Sequence, residues 1–263
     1  MVMQPRLAAT VMLLRNTAQQ QGIEIFMVRR VVQSEFMPDI YVFPGGSASA
    51  VDKEMEQSAT LSVPLEPSAA DPEGRTALGS GVRAAAIREL FEEGNVLLAY
   101  QQQRLLAIGA QDVPRFAEYR QRLNARGATL LDIVQAEHLV LATEQLAYFA
   151  HWITPEQLPR RFDTHFFLAA APMEQEALYD QLETSEGLWI RPDEALKRFA
   201  EGTFPVAFPT YHQLRDLAPF ATVQEALAAT RTRYVPTYQP IWLEREGGPF
   251  VYLPEDPDFL WKL

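Results

Sequence analysis

Apolar residues follow two patterns along this chain, and the patterns divide it into strands and helices. Leu7 to Arg15 is a nearly unbroken apolar run, and Ile23 to Arg30 repeats it after the polar stretch Asn16 to Gly22. Runs of this length and composition, separated by turn residues, predict two paired strands. Tyr41-Val42-Phe43 is a shorter run that ends in the turn Pro44-Gly45-Gly46. Gln145 to Thr154, Phe162 to Ala169 and Leu188-Trp189-Ile190 are aromatic and aliphatic, and predict further strands. Val96 to Ile108 reads as a strand or extended segment at its start.

Helical patterning is strongest from Gly81 to Glu93, where Val82-Arg83-Ala84-Ala85-Ala86-Ile87 supplies strong helix formers. Asp112 to Arg126 and Thr129 to His138 predict two helices broken at Gly127. Pro192 to Ala200, Thr210 to Leu217 and Thr222 to Thr230 predict three more, with Pro192 in a first turn. From Tyr234 the chain carries Pro236, Pro240, Trp242, Pro254 and Pro257, and reads as a segment wrapped on the domain. No repeat and no linker interrupts the chain, so one elaborated domain over 1–263 is expected.

Candidate chemistry gathers on the strongest helix. Glu89, Glu92 and Glu93 stand at i, i+3 and i+4, so three carboxylates share one face. Ala84, Ile87, Leu90 and Phe91 lie on the opposite face and would pack it down. Like charges at this spacing repel, which a solvated acidic face tolerates and a bound cation neutralises. Oxygen ligands suit a hard divalent ion, Mg²⁺ or Mn²⁺. The glycines after Phe43 allow close backbone approach to a ligand or metal.

Composition narrows the choices. The chain has 263 residues, of which 48% are apolar and 22% charged, ordinary values for a globular protein. With no cysteine there is no disulfide, no thiolate zinc site and no cysteine nucleophile. A net charge of −11 argues against a nucleic-acid partner held on a broad basic surface. No apolar run is long enough to span a membrane. The N-terminal run is too short and poorly flanked for a signal peptide, and Trp261-Lys262-Leu263 lacks the small first residue of a peroxisomal signal, so a cytoplasmic location is expected. The four histidines share no metal-ligand spacing and read as structural.

The two candidate pieces together resemble the Nudix box: Gly, five residues, Glu, seven residues, then Arg-Glu-apolar-x-Glu-Glu-x-Gly-apolar. Gly46 and Asp52 match its start, with Asp in place of Glu, and Arg88 to Val96 match its end, with Asn95 in place of Gly. Between Asp52 and Arg88 lie 35 residues, and removing the 28 residues 53–80 restores the spacing. That piece carries Pro64, Pro67, Pro72, Gly74 and Gly79 and reads as a surface loop. A long insertion in the box is a feature of the coenzyme A diphosphatase-like branch, which includes a mammalian peroxisomal member. The resemblance continues at Arg29-Arg30, Phe36-Met37-Pro38, Trp152-Ile153-Thr154-Pro155 and Arg161-Phe162-Asp163-Thr164.

The resemblance implies a Nudix α/β/α sandwich with a mixed central sheet, extra helices near 112–138 and a C-terminal extension near 205–263. Those helices would cover the site or form a homodimer surface. It further implies metal-dependent hydrolysis of a small-molecule diphosphate, with coenzyme A or acyl-CoA cut to 3′,5′-ADP and 4′-phosphopantetheine or its acyl form. ADP-ribose, dinucleotides and nucleotide sugars share the diphosphate and stay open, as does a catalytically silent nucleotide-binding sensor. By resemblance Glu89 and Glu93 are principal metal ligands, Glu92 an additional one, and a carbonyl at Gly45-Gly46 completes the set. Arg88 holds a carboxylate in place. Arg29, Arg30, Phe43, Gly45, Gly46, Arg160 and Arg161 are candidate substrate contacts. Glu144, Glu183 and Glu186 are candidate general bases, with Glu186 favoured because it directly precedes a strand.

Overall fold

The computed structural model describes residues 3–18, 21–32, 38–66 and 69–263. Phe36 and Met37 of the quoted motifs, and Pro67 of the insertion, lie outside them. β1 (Arg6–Asn16) and β2 (Ile23–Arg30) form the antiparallel hairpin that the two apolar runs predict. β3 (Tyr41–Val42) pairs with β2, and β4 (Gly45–Ser47) runs antiparallel to β1.

The insertion is not the plain surface loop that its prolines and glycines suggest. It begins inside α1 (Ala50–Gln57), whose capping box joins Ser49 and Asp52. Met55 is fully buried, and the buried carboxylate of Glu56 turns to the next helix, α2 (Val82–Gly94). Gly81, the N-cap of α2, has no side chain to cap it. Glu56 does that work from outside, accepting from the backbone N–H groups of Gly79 (2.9 Å), Gly81 (2.7 Å), Arg83 (2.6 Å) and Ala84 (2.8 Å). The last three are donors that a helix start leaves unpaired, and a negative charge there also suits the helix dipole. Further on, the carboxylate of Asp71 accepts from Arg75 and Thr76 and folds the rest of the segment back on itself. Asn95 closes α2 in the left-handed region at φ 60°, the cap that a Gly would otherwise supply.

Beyond α2 the chain adds a small layer: β5 (Ala99–Gln101), β6 (Arg104–Leu105), α3 (Val113–Asn124), α4 (Leu130–Ala136) and β7 (Leu139–Leu141). β5, β6 and β7 make a separate three-stranded sheet, so the extended segment after α2 and the residues after α4 pair with each other. β8 (Ala147–Ile153), β9 (Phe162–Ala170) and β10 (Thr184–Ile190) return to the main sheet. α5 (Pro192–Ala200), α6 (Phe208–Leu217) and α7 (Val223–Thr230) follow. The proline-rich tail is not merely wrapped on the surface. It forms β11 (Thr237–Tyr238), which joins the main sheet, and the antiparallel meander β12 (Ile241–Arg245), β13 (Gly248–Leu253), β14 (Asp256–Lys262).

Among the described residues the main sheet runs β10-β2-β1-β9-β8-β11, with β3 on β2 and β4 on β1. β1 lies parallel to β9 and antiparallel to β2, so the sheet is mixed. β1 is buried on both faces, which is why its sequence reads as continuous rather than alternating. Ala9, Val11 and Leu13 face Ala84, Ile87 and Phe91 of α2. Met12 and Leu14 share the opposite core with Phe208, Leu214 and Ala226 of α6 and α7. Helices therefore cover both faces, an α/β/α sandwich. Burying a Leu, Ile or Phe contributes about 1.5–3 kcal/mol, enough to pin α2 despite the charge on its other face.

Replacing Glu56 with Ala should strand four backbone donors and destabilise the fold by about 2–3 kcal/mol. Urea denaturation followed by circular dichroism tests this. A variant as stable as the wild type would show that the cap contributes nothing.

Candidate active site

The apolar face of α2 fixes where its charged face points. That face meets the β4 turn and the start of α1 around one guanidinium. Arg88 donates through Nε to Asp52 (3.0 Å) and through Nη1 to Glu89 (2.7 Å) and Glu92 (2.9 Å). Its Nη2 donates to the Ser47 carbonyl at 2.8 Å and to Asp52 at 3.1 Å. Burial alone would lower the pKa of this guanidinium. The adjoining Glu89 and Asp52 carboxylates outweigh it and leave the pKa raised. Asp52 is thus spent on the Arg88 ion pair and on its capping box, a structural use that its shorter side chain permits.

Glu93 points to the turn instead, where its carboxylate accepts from the Gly45 N–H at 3.0 Å. The backbone has no room to spare here. A Cβ on Gly46 would fall on the Glu89 carboxylate, and one on Gly45 would meet Thr10 and the Ala9 carbonyl. Glycine at both positions is what lets the turn sit against the carboxylates.

The carboxylates are costly as they stand. Burial first, then the charges of Asp52 and Glu183, raise the pKa of Glu89. Burial and the neighbouring Glu89 push Glu92 up to about 7. Glu93 lies well above the usual carboxylate range, through burial and then Glu89, although the Gly45 N–H and Arg30 pull the other way. Arg88 serves Glu89 and Glu92 but not Glu93. Buried carboxylates with so little compensating charge form an all-oxygen donor set short of a cation, and a hard divalent ion fits it.

These groups line one cavity of about 1060 Å³. Glu89, Glu92, Glu93, Arg88, Phe43, Gly45, Gly46 and Arg30 all reach it. Four other expected residues do not. Arg29 precedes Arg30 and points to the opposite side of β2, because successive strand residues alternate, and it pairs with Asp39 at 2.8 Å. Arg161 is buried and donates to the carbonyls of Thr154 (3.1 Å) and Met3 (2.7 Å), which corrects its assignment as a substrate contact; its neighbour Arg160 lines the cavity. Glu186 pairs with Arg29 in the sheet and accepts from the Tyr41 hydroxyl at 2.7 Å, away from the cavity. Glu144 likewise accepts from Tyr100.

Glu183 is the base candidate that the fold brings to the carboxylates. It lines the cavity, and its charge bears on both Glu89 and Glu93. Asp180 holds its loop by accepting from the N–H groups of Leu182, Glu183 and Thr184. Arg126 reaches the cavity from the α3–α4 connection, a residue that sequence patterning did not single out. The added helices also hold the site from behind. Arg120 of α3 donates to the Glu92 carbonyl (2.9 Å) and the Leu178 carbonyl (2.7 Å).

Sequence spacing also concealed a second cluster. His151 and His165 face each other across β8 and β9, stacked at 4.3 Å, with Asp163 between them. Asp163 and His165 alternate with Phe162, Thr164 and Phe166, which line the cavity, so the cluster lies on the other face of the sheet. Arg75 stands 3.1 Å from His151 Nδ1 and can only donate there, which makes that nitrogen an acceptor and leaves Nε2–H for Asp163. The arrangement reads as a hydrogen-bonded brace between the insertion and the sheet.

A glycine turn and a helix bearing Arg88, Glu89, Glu92 and Glu93, set on this mixed sheet between helices, define a Nudix diphosphate hydrolase. Within that class, residues 73–217 match the family model of the NUDT19 Nudix domain, more than half of the chain, and the chain belongs to that family. It is 28% identical to the acyl-coenzyme A diphosphatase NUDT19 of Gallus gallus, over 90% of this chain and 74% of that one. To the human protein of the same name it is 25% identical, over 92% and 76%. The crystal structure of a Nudix hydrolase from Alicyclobacillus acidocaldarius superposes with a TM-score of 0.70 at 26% identity, over 86% of this chain and 96% of that one.

Changing Gly46 to Ala should push the Glu89 carboxylate from its place and lower turnover by roughly 100-fold, since displacements near 1 Å have that effect. Steady-state kinetics beside a thermal melt tests it. Undiminished turnover would mean that the close approach is not needed.

Proposed function

We propose that the chain hydrolyses the diphosphate of coenzyme A or acyl-CoA, releasing 3′,5′-ADP and 4′-phosphopantetheine or its acyl form. The observation that carries this reading is the cavity that places Glu89, Glu92, Glu93 and the Gly45-Gly46 turn together. The likeness to proteins named acyl-coenzyme A diphosphatase, over most of the chain, supports the choice among diphosphates.

Glu89 and Glu93 would hold Mg²⁺ or Mn²⁺, with Glu92 as a further ligand and the Gly46 carbonyl beside them. Such an ion neutralises the charge that builds on phosphate oxygens as they react. Arg88 keeps Glu89 and Glu92 in position. Arg30, beside Glu93, faces the diphosphate, and Phe43 walls the site. Arg126 and Arg160 are the cationic candidates for the 3′-phosphate, where a guanidinium offers paired donors.

Glu183 acts as general base. It takes a proton from the water whose oxygen attacks one phosphorus, and the bond from that phosphorus to the bridging oxygen breaks. Asp180 is a positioning residue that fixes the loop carrying Glu183.

Incubation of the protein with coenzyme A, octanoyl-CoA, ADP-ribose and NADH, each with Mg²⁺ or Mn²⁺, should give 3′,5′-ADP from the two CoA substrates. Glu93→Gln should abolish it, by at least about 100-fold. Cleavage confined to ADP-ribose or NADH would sink the CoA reading and keep the chemistry. Tight metal-free nucleotide binding without cleavage would instead favour a silent sensor.

Glu183→Gln should lower kcat by about 100-fold or more with KM little changed, the share that a general base supplies. A kcat within a few-fold of the wild type would remove Glu183 from that role.

A further inference from the structure

The cavity has a second region that hydrolysis does not use. Trp152, Phe166, Phe208 and Val251 line it, and all four belong to the core on the face of the sheet opposite α2. Two independent features there lack hydrogen-bond acceptors.

The first is the start of α6, where Ala207, Phe208, Pro209 and Thr210 open on the cavity. Its N-cap is Ala207, which has no side chain to cap the first turn, and Pro209 has no N–H. The N–H groups of Phe208 and Thr210 therefore have no acceptor within the helix. The second feature is Trp152, only 4% exposed, whose indole Nε1 finds no hydrogen-bond partner among the described residues. Its ring is held between Phe208, His212 and Tyr238, at 5.9, 5.6 and 4.9 Å. A buried donor without an acceptor is costly, and such groups are usually satisfied.

We propose that this region is the subsite for the pantetheine arm of the substrate, with the Trp152 indole N–H and the first turn of α6 donating to an amide or thioester carbonyl. The proposal rests on the coenzyme A reading above. Neutral donors between apolar walls suit an uncharged acceptor carried on a chain. A phosphate would be stripped of water here among groups that carry no charge, and that penalty is severe. The imidazole of His212, beside Trp152, stays neutral because burial drives its pKa down to about 4. Phe166 and Val251 would then take the methylene groups on either side of the carbonyl.

Calorimetric titration of the metal-free protein with octanoyl-pantetheine, which has the amides, thioester and chain but no diphosphate, tests the proposal. Titration with 3′,5′-ADP is the companion. Octanoyl-pantetheine should bind the wild type. Trp152→Phe should weaken it about tenfold, the effect of one buried hydrogen bond, and Ala207→Ser, whose hydroxyl would take the Thr210 N–H as an N-cap, by roughly threefold. Affinity for 3′,5′-ADP should hold in both variants, with thermal melts confirming that they fold. Unchanged octanoyl-pantetheine affinity in both variants would overturn the proposal, as would a loss that falls on 3′,5′-ADP instead. Cleavage of octanoyl-CoA keeps the two readings apart. Cleavage without octanoyl-pantetheine binding sinks the subsite alone, and binding that the variants weaken, without cleavage, sinks the hydrolysis alone.

Discussion

The arrangement depends on one guanidinium. Arg88 joins the β4 turn, α1 and two of the three glutamates, and each partner alone would place its charge or carbonyl badly. Without it, Asp52, Glu89 and Glu92 would crowd one buried face with no cation among them, and mutual repulsion would swing them apart or protonate them. Its planar set of donors serves four acceptors at once, which a lysine ammonium could not match in geometry. Arg88 thereby holds the carboxylate oxygens of Glu89 and Glu92 together on one face of α2.

The same logic explains how the additions to the fold relate to the site. The segment that separates the two halves of the box begins inside α1, which supplies Asp52 to Arg88 and, from the inserted part, Glu56 to the start of α2. The insertion therefore braces the helix that follows it. α3 grips the other end of α2 through Arg120, while Leu123 and Asn124 from its last turn line the cavity. The C-terminal meander contributes Val251 to the cavity wall, and through Phe259 and Trp261 it packs on Phe208 and Tyr211 of α6. These pieces extend the cavity wall beyond the carboxylate face of α2.

What could be read in advance follows from how local each signal is. α2 was legible because its helix formers, its apolar face and its carboxylate triplet lie within a single short segment. β1 and β2 were legible for the same reason. Glu56 was not, since nothing in its own neighbourhood says that its carboxylate caps a helix 25 residues later. The paired arginines show a different limit. In Arg29-Arg30 and Arg160-Arg161 one member of each pair reaches the cavity, and the sequence does not say which face the alternation assigns to it. Glu186 was favoured for its place before a strand, but a strand residue is tied to its partner's face, and its partner is Arg29. Glu183, held by the Asp180 loop before the strand pairs regularly, was free of that constraint.

The site is also where the fold gives up stability. Glu93 is buried, Glu89 and Glu92 are largely so, and all three have raised pKa values, so the cation-free protein bears a cost for keeping them ionised at neutral pH. Apolar packing on the far side of α2, where Ile87, Leu90 and Phe91 are fully buried, holds the helix against that cost. A divalent ion would reverse the sign, because it binds the folded arrangement and an unfolded chain does not present one. Preorganised, under-compensated carboxylates are therefore a weak point of the cation-free fold and a set of oxygens that a hard divalent ion would suit. Relieving them with a second buried arginine would stabilise the helix and take away the reason for an ion to enter.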